Sequence, residues 1–448
     1  MTESLRSAAR RWSQPRLTPR TVWVAPNGND GTAAVGNPTL PYATIAAAVQ
    51  NNDASFVIVR DGDYDPFSFE STHTGWSSVS GGFNNNVKWV AAENPYRARI
   101  RIAGPETHTL TWAPTGPTLY YTTIPGTVEP ERFLNRQAFD EFGFEVQLFR
   151  FDSRPVDKGG YGSVGAALNA LAAANSGWVW DPATRFLYAK YHGADMNAIK
   201  FGFRAVYKQA TANGLQSVYL KGATLILDGL LLDGVAIRTD LDAASIPPRL
   251  WIIDCLSQFS PIAGLEANAC QAFSENFRVH ASTRDGCQYF PSTGTSLMME
   301  ANNHFTKVGA IDTYGTVTTE GTIQQGSSMH GKCSGARFGV ISEVSLGANI
   351  ADVGGGPSDI ATYVWHVGVL TRRSRDPSPA GQYFTTDPGP FQRTVWLDTC
   401  ADMDEGANVR NLVVSGSAAY AAHVDGTNTN YFPTVVGGTP TAYDPRSP

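Results

Sequence analysis

The sequence predicts an all-β chain wound as a parallel solenoid of short strands, opened by one short helix and interrupted by an antiparallel β-rich block. Three observations carry that expectation. Apolar runs of about four or five residues recur throughout, bounded by Asn, Gly and Asp, the pattern of strands between tight turns. After residue 218 they return at intervals of about 22–30 residues, a spacing that means stacked coils. Helical patterning of ten or more residues is almost missing there, so a βαβ architecture lacks its helices. An all-β sandwich is the alternative reading.

Composition sets outer bounds. The 448 residues suffice for one large solenoid or two to three ordinary domains. The 44 Gly and 27 Pro favour turns and short strands over long helices. A net charge of -6 argues against nucleic acid as a partner, because phosphate binding needs a basic surface. No apolar run approaches a membrane span, and no membrane partner is expected. Five cysteines without a CxxC read as buried free thiols, neither a disulfide framework nor a zinc site.

Taken in order, residues 1–20 form a basic arm. Arg6, Arg10, Arg11, Arg16 and Arg20 face only Glu3, and no apolar export signal follows. The arm reads either as a disordered start or as an attachment segment. Residues 21–105 read as the entry and first coils: a strand at 21–24, a polar turn, a helix at 45–49 capped by Thr44, and strands at 56–59, 87–93 and 98–102. The oxygen-rich turn Asn27-Gly28-Asn29-Asp30 offers Ca2+ ligands, but a solvated turn accounts for it without metal, and no cofactor is expected.

Between 106 and 213 the texture changes to long aromatic strands, a helix at 165–172, and a hairpin signal at Asp181-Pro182-Ala183-Thr184. This block reads as an antiparallel insertion whose aromatics form a core, not a sugar platform. Residues 214–430 resume the short-strand rhythm, with Asp, Asn and Gly at the corners, and 431–448 form a tail.

The order of the entry pieces, with Pro41-Tyr42-Ala43-Thr44-Ile45, resembles the start of right-handed parallel β-helix proteins, the pectate-lyase-like superfamily that includes phage tailspikes. The resemblance implies a small helix plugging the first coil. Ser327-Ser328-Met329-His330-Gly331, then Arg337 and Asn349-Ile350-Ala351-Asp352-Val353, is similar to a segment of β-helix proteins from phages and prophages. Asp285-Gly286-Cys287-Gln288-Tyr289 matches a step that precedes it there. Gly331 stands where that pattern often has Asp, which removes a carboxylate. The likeness covers roughly 21–67 and 280–353.

Ionisable residues concentrate between His280 and Asp352. Neighbouring coils lie about 4.8 Å apart, so equivalent positions can share one face. Glycoside hydrolysis needs two carboxyl groups ~5–5.5 Å or ~6.5–9.5 Å apart, which adjacent or next-but-one coils supply. A lyase needs a base and a cation offsetting the uronate charge, roles that His330 and Arg337 suit. The catalytic candidates are therefore Asp285, Glu300, His330 and Asp352. The substrate-binding candidates are Arg284, Tyr289, His304, Arg337 and Trp365. Five of them have a structural alternative: Asp285 and Asp352 as turn residues, Glu300 as a solvated strand end, His330 as a hydrogen-bonded histidine, Arg337 as a brace.

The resemblance, the missing export signal and the arm together imply a tailspike-like homotrimer on a phage tail. It would bind and depolymerise a bacterial cell-surface polysaccharide as a hydrolase or lyase, docking on a tail or baseplate protein through the arm. The alternatives are a non-catalytic receptor-binding or structural tail protein, and an extracellular bacterial polysaccharide lyase.

Overall fold

Thr21–Val24 and Phe56–Val59 pair in parallel, Thr21 opposite Phe56 and Val24 opposite Val59. The six-residue helix Ile45–Gln50 lies between them in sequence and buries Ile45, Ala46, Ala48 and Val49 against them. The Thr44 hydroxyl accepts from the Ala47 N–H and donates to Asp30. Asp30 also accepts from the Ala43 and Thr44 N–H groups at 2.7 and 3.0 Å. Both carboxylate oxygens of Asp30 are thus engaged in tying the polar turn to the helix start, where orphan N–H groups need acceptors.

The computed structural model describes residues 20–306 apart from 52, 69–76, 79–87, 141, 154–159, 210–216, 222–223, 241–248, 262, 269–270, 283–285 and 291–296; beyond 306 it describes the backbone of short strands between 329 and 442. The described chain is mostly β with few helices. Among the described residues, no helix is long and apolar enough to cross a membrane. Most of the basic arm, together with Arg284, Asp285 and Asp352, lies outside the described residues.

Three parallel sheets carry the chain. Among the described residues the first has ten strands, the second nine and the third eleven. Successive strands visit them in rotation: Thr224–Asp228 in the first, Leu231–Asp233 in the second, Ala236–Asp240 in the third, then Arg249–Ile253 back in the first. The alternation of strand side chains sorts each strand into an inner and an outer row. Leu225 and Leu227 are buried with Leu232 and Ile237 in one core between the sheets, joined by Val57, Val90, Ile100, Ile252 and Val279. Cys255 and Cys287 are both buried in that core. Burial pushes the Cys255 thiol up to about 12.

The corners are short because single residues adopt left-handed backbone. Gly229, Asp254, Asn276 and Asn302, each leading from the first sheet to the second, have φ of 67°, 51°, 54° and 55°. Gly, Asn and Asp tolerate this region best, which explains their place at these corners. Asn276 Nδ2 donates to Asp254 Oδ1 one coil earlier, 22 residues away, at 2.8 Å. Asn303, fully buried, donates to Ser274 Oγ and accepts from the Phe277 N–H, 26 residues away.

After Ala98–Arg101 the chain leaves the parallel sheets. It builds one antiparallel sheet from Ala113–Pro114, Tyr120–Thr123, Ser176–Asp181 and Phe186–Tyr191, and another from Val128–Phe139, Glu145–Gln147 and Phe203–Gln209. The Asp181 carboxylate closes the tight turn between two of these strands by accepting from Ala183 N–H and Thr184 Oγ1. Trp112, Trp178, Trp180, Phe133 and Phe203 fill a separate core here. This block seats on the coils through Leu134, Val206, Phe259 and Ala281. Arg132, fully buried, donates to the Phe259 and Ser260 carbonyls at 3.2 and 3.3 Å and to Gln147. Gly234 (φ 74°) lies so close to Val206 that an added Cβ would stand 2.2 Å from its methyl.

Candidate functional site

The second sheet turns a row of polar residues outward. Arg101, Asp233, Gln258, His280 and Thr306 occupy one register position on successive coils. The inner row beside it, Ile100, Leu232 and Val279, is core. Stacking at strand spacing brings two neighbouring pairs of this row into contact. Gln258 Nε2 donates to Asp233 Oδ1 at 3.1 Å, and His280 Nδ1 lies 2.8 Å from Thr306 Oγ1. Arg99, two residues before Arg101 on the same face, forks onto Asp63 at 2.6 and 2.8 Å.

The antiparallel block roofs this row. Arg204 reaches down to Asp233, with contacts of 2.6 and 3.3 Å, and also pairs with Glu145. Arg101 joins Asp63 at 2.7 Å and Glu106 at 2.8 Å. At the turn before Glu145–Gln147, Phe144 stacks on His280 with centroids 3.8 Å apart and planes 6° apart. Asp140 Oδ2 lies 3.5 Å from His280 Nε2, so the turn is held on the coil by a ring and a carboxylate.

Between floor and roof a cleft of about 400 Å³ remains, lined by Arg99, Arg101, Arg136 and Arg204, Glu106 and Glu145, Phe139 and Phe144, and Gln258. Four guanidinium groups therefore face two carboxylates on its wall. Asp233, buried behind Arg204, and Asp63 complete the charge balance beneath it. Burial alone would raise the Asp63 carboxyl, but Arg99 and then Arg101 outweigh it and hold it below the ordinary value. Burial likewise opposes ionisation of Glu106, and Arg101 reverses that and lowers its pKa. Burial pulls the Arg99 and Arg204 guanidiniums down, and their carboxylate partners lift both above the ordinary arginine value. The wall is a fixed array of charges.

Two groups on it keep capacity for a ligand. Arg136, with its side chain 48% exposed, meets only Glu145, at 3.8 Å, among the described residues. Phe139 is 64% exposed. Among the described residues no group of three His, Cys, Asp or Glu is placed to hold a metal ion.

Six of the residues singled out from sequence are described, and they fall elsewhere. His330 lies on the third sheet opposite Gln288 and Gly354, in the row of Arg238 and Glu266. Tyr289 is one position along, opposite the core residue Ala267. Glu300, Arg337 and Trp365 belong to the first sheet. Glu300 pairs with buried Ser274, Arg337 with Leu297 and Tyr363, and Trp365 with Gly339. His304 is exposed on the second sheet opposite Arg278; desolvation and then the Arg278 charge lower its pKa. These six positions occupy three different sheets, so stacking of coils does not set them in one row. Arg284, Asp285 and Asp352 are outside the described residues.

The cleft residues come from chain segments far apart. The signal for them was local: charges alternating with core residues in Ala98-Arg99-Ile100-Arg101, and Arg136 and Glu145 flanking a polar turn. Compared with family models and with curated protein sequences, the chain matches none.

Proposed function

We propose that the chain is a right-handed parallel β-helix of the phage-tailspike kind, and that its insertion cleft binds a bacterial cell-surface polysaccharide. The cleft carries the reading. Guanidinium groups, an amide and aromatic rings share one concave wall. That mixture suits a sugar, whose hydroxyls and charges take hydrogen bonds and whose ring faces are apolar.

The chemistry of the wall favours binding over cleavage. Hydrolysis needs a carboxyl group that keeps its proton near neutral pH. Glu106 is held ionised by Arg101, and Glu145 is paired to Arg204 and Arg136. Elimination needs a base, and Arg99 and Arg204 are held protonated by their carboxylates. The non-catalytic receptor-binding reading is therefore the one this cleft supports. Depolymerase chemistry would belong to the rows of Glu300 and His330. The same proposal makes the protein a homotrimer on the virion tail, attached through the basic arm to an acidic tail or baseplate surface.

The test incubates purified protein with capsule and lipopolysaccharide from a panel of hosts. Retention on the glycan is measured beside new reducing ends and unsaturated uronides. Retention without cleavage is the expected result. Retention with cleavage moves the protein to the depolymerases, and no retention across a broad panel overturns the reading.

A further inference from the structure

We infer that the insertion cleft selects a sugar bearing a carboxylate, with Arg136 as the residue that recognises it. The inference rests on the polysaccharide reading above and names its substrate class.

Three features of the wall combine. Arg99 and Arg204 are forked onto carboxylates, and Arg101 gives its Nη2 to Asp63 and Glu106 at 2.7 and 2.8 Å while its Nε is buried; the three set a positive background without offering an exposed free fork. Arg136 differs. Its one ion-pair contact among the described residues is the loose 3.8 Å approach to Glu145, whose other oxygen is already held by Arg204. A guanidinium fork matches a carboxylate through two parallel N–H···O bonds, and such charge-assisted pairs are the strong ones. Arg136 is the wall residue free to make one.

Beside it, Phe139 presents an exposed ring three residues along the same strand, and Phe144 lines the cleft with its other face on His280. Flat apolar faces of this kind meet the C–H face of a pyranose. Gln258 supplies the third element. Its Nε2 is engaged with Asp233, which leaves the amide oxygen to accept from a ligand hydroxyl. A carboxylate, an apolar ring face and a hydroxyl within one cleft of about 400 Å³ describe an acidic monosaccharide unit within a glycan. A neutral sugar leaves Arg136 without a partner, and an inorganic anion leaves Phe139 and Gln258 without one.

The experiment titrates the full chain with oligogalacturonate, oligoalginate and hyaluronan oligomers, each beside its carboxyl-reduced form, and with a phosphate-bearing neutral oligosaccharide. At least one acidic series binds, and its reduced form binds about tenfold weaker or less, the loss expected for one charge-assisted hydrogen-bonded pair. Arg136→Gln removes that preference and leaves the melting temperature unchanged, because the side chain is half exposed. Arg136→Lys restores part of it, and added salt weakens the acidic series selectively. Equal affinity for acidic and reduced oligomers overturns the inference and leaves polysaccharide binding standing. So does tighter binding of the phosphate-bearing oligomer. Failure of every acidic oligomer to bind overturns it too, and the host-glycan panel then decides the broader reading separately.

Discussion

Lys88 places a charge at the mouth of an apolar core. It is 2% exposed and donates to the Asn51 and Ala54 carbonyls just past the entry helix. Burial lowers its pKa from 10.5 to about 8, with the Asp53 charge opposing. Below about pH 8 both folded and unfolded chains hold the proton, so the burial cost is fully present. Between about 8 and 10.5 the folded chain releases its proton first, and stability rises with pH. Urea midpoints across this range should climb in the native protein and lose that climb in Lys88→Met. Asp63 and Glu106 give a pH slope of the same sign from the opposite cause, partners that favour the charged form. Their lowered pKa values stabilise the fold above the ordinary carboxylate range, and this support is lost as pH falls through the lowered values. Removing the charge with Asp63→Asn should blunt acid unfolding, as followed by circular dichroism. Cys255, with its thiol pushed up to about 12, should resist alkylation until the chain unfolds.

At the scale of the element, the corner ladder sets how each coil turns. Asp254, Asn276 and Asn302 repeat one left-handed conformation, and the Asn276 amide ties its coil to the one before. A β-branched residue there loses both the conformation and the bond. Asn276→Val should cost about 1–2 kcal/mol in urea unfolding, while Asn276→Gly should recover most of the conformational part. The entry turn works similarly. Asp30→Ala removes three hydrogen bonds at the helix start and should cost about 1–2 kcal/mol. These features were legible in the sequence because they are local. Thr44 before an Ala-rich run, Asp181-Pro182 between aromatic strands, and Asn or Asp after each apolar strand all announce themselves within a few residues.

Across the whole molecule, the site depends on how the antiparallel block sits on the coils, and that was not legible. Arg99, Arg136, Arg204, Asp233 and Gln258 come from separate strands, and only the docking through Leu134, Val206, Phe259 and Arg132 makes them neighbours. Register was hidden for the same reason. Turn lengths vary between coils, so spacing in sequence did not reveal that Glu300 pairs with buried Ser274 while His330 lies on a different sheet. Clustering along the chain between 280 and 352 does not by itself set the register: the described residues among these candidates lie on three sheets. Arg132→Met should leave the Phe259 and Ser260 carbonyls without their donor, cost about 1–3 kcal/mol, and split thermal unfolding into two steps as the block loosens first.

Hydrogen exchange with and without a bound acidic oligosaccharide tests the central claim most directly, because it locates the ligand without presuming its chemistry. Protection is predicted in Ala98–Arg101 and from Arg136 to Glu145, which line the cleft, with little change in Met329–Gly331. Protection centred on Met329–Gly331 and Leu297–Ala301, with none at the cleft, would contradict the account.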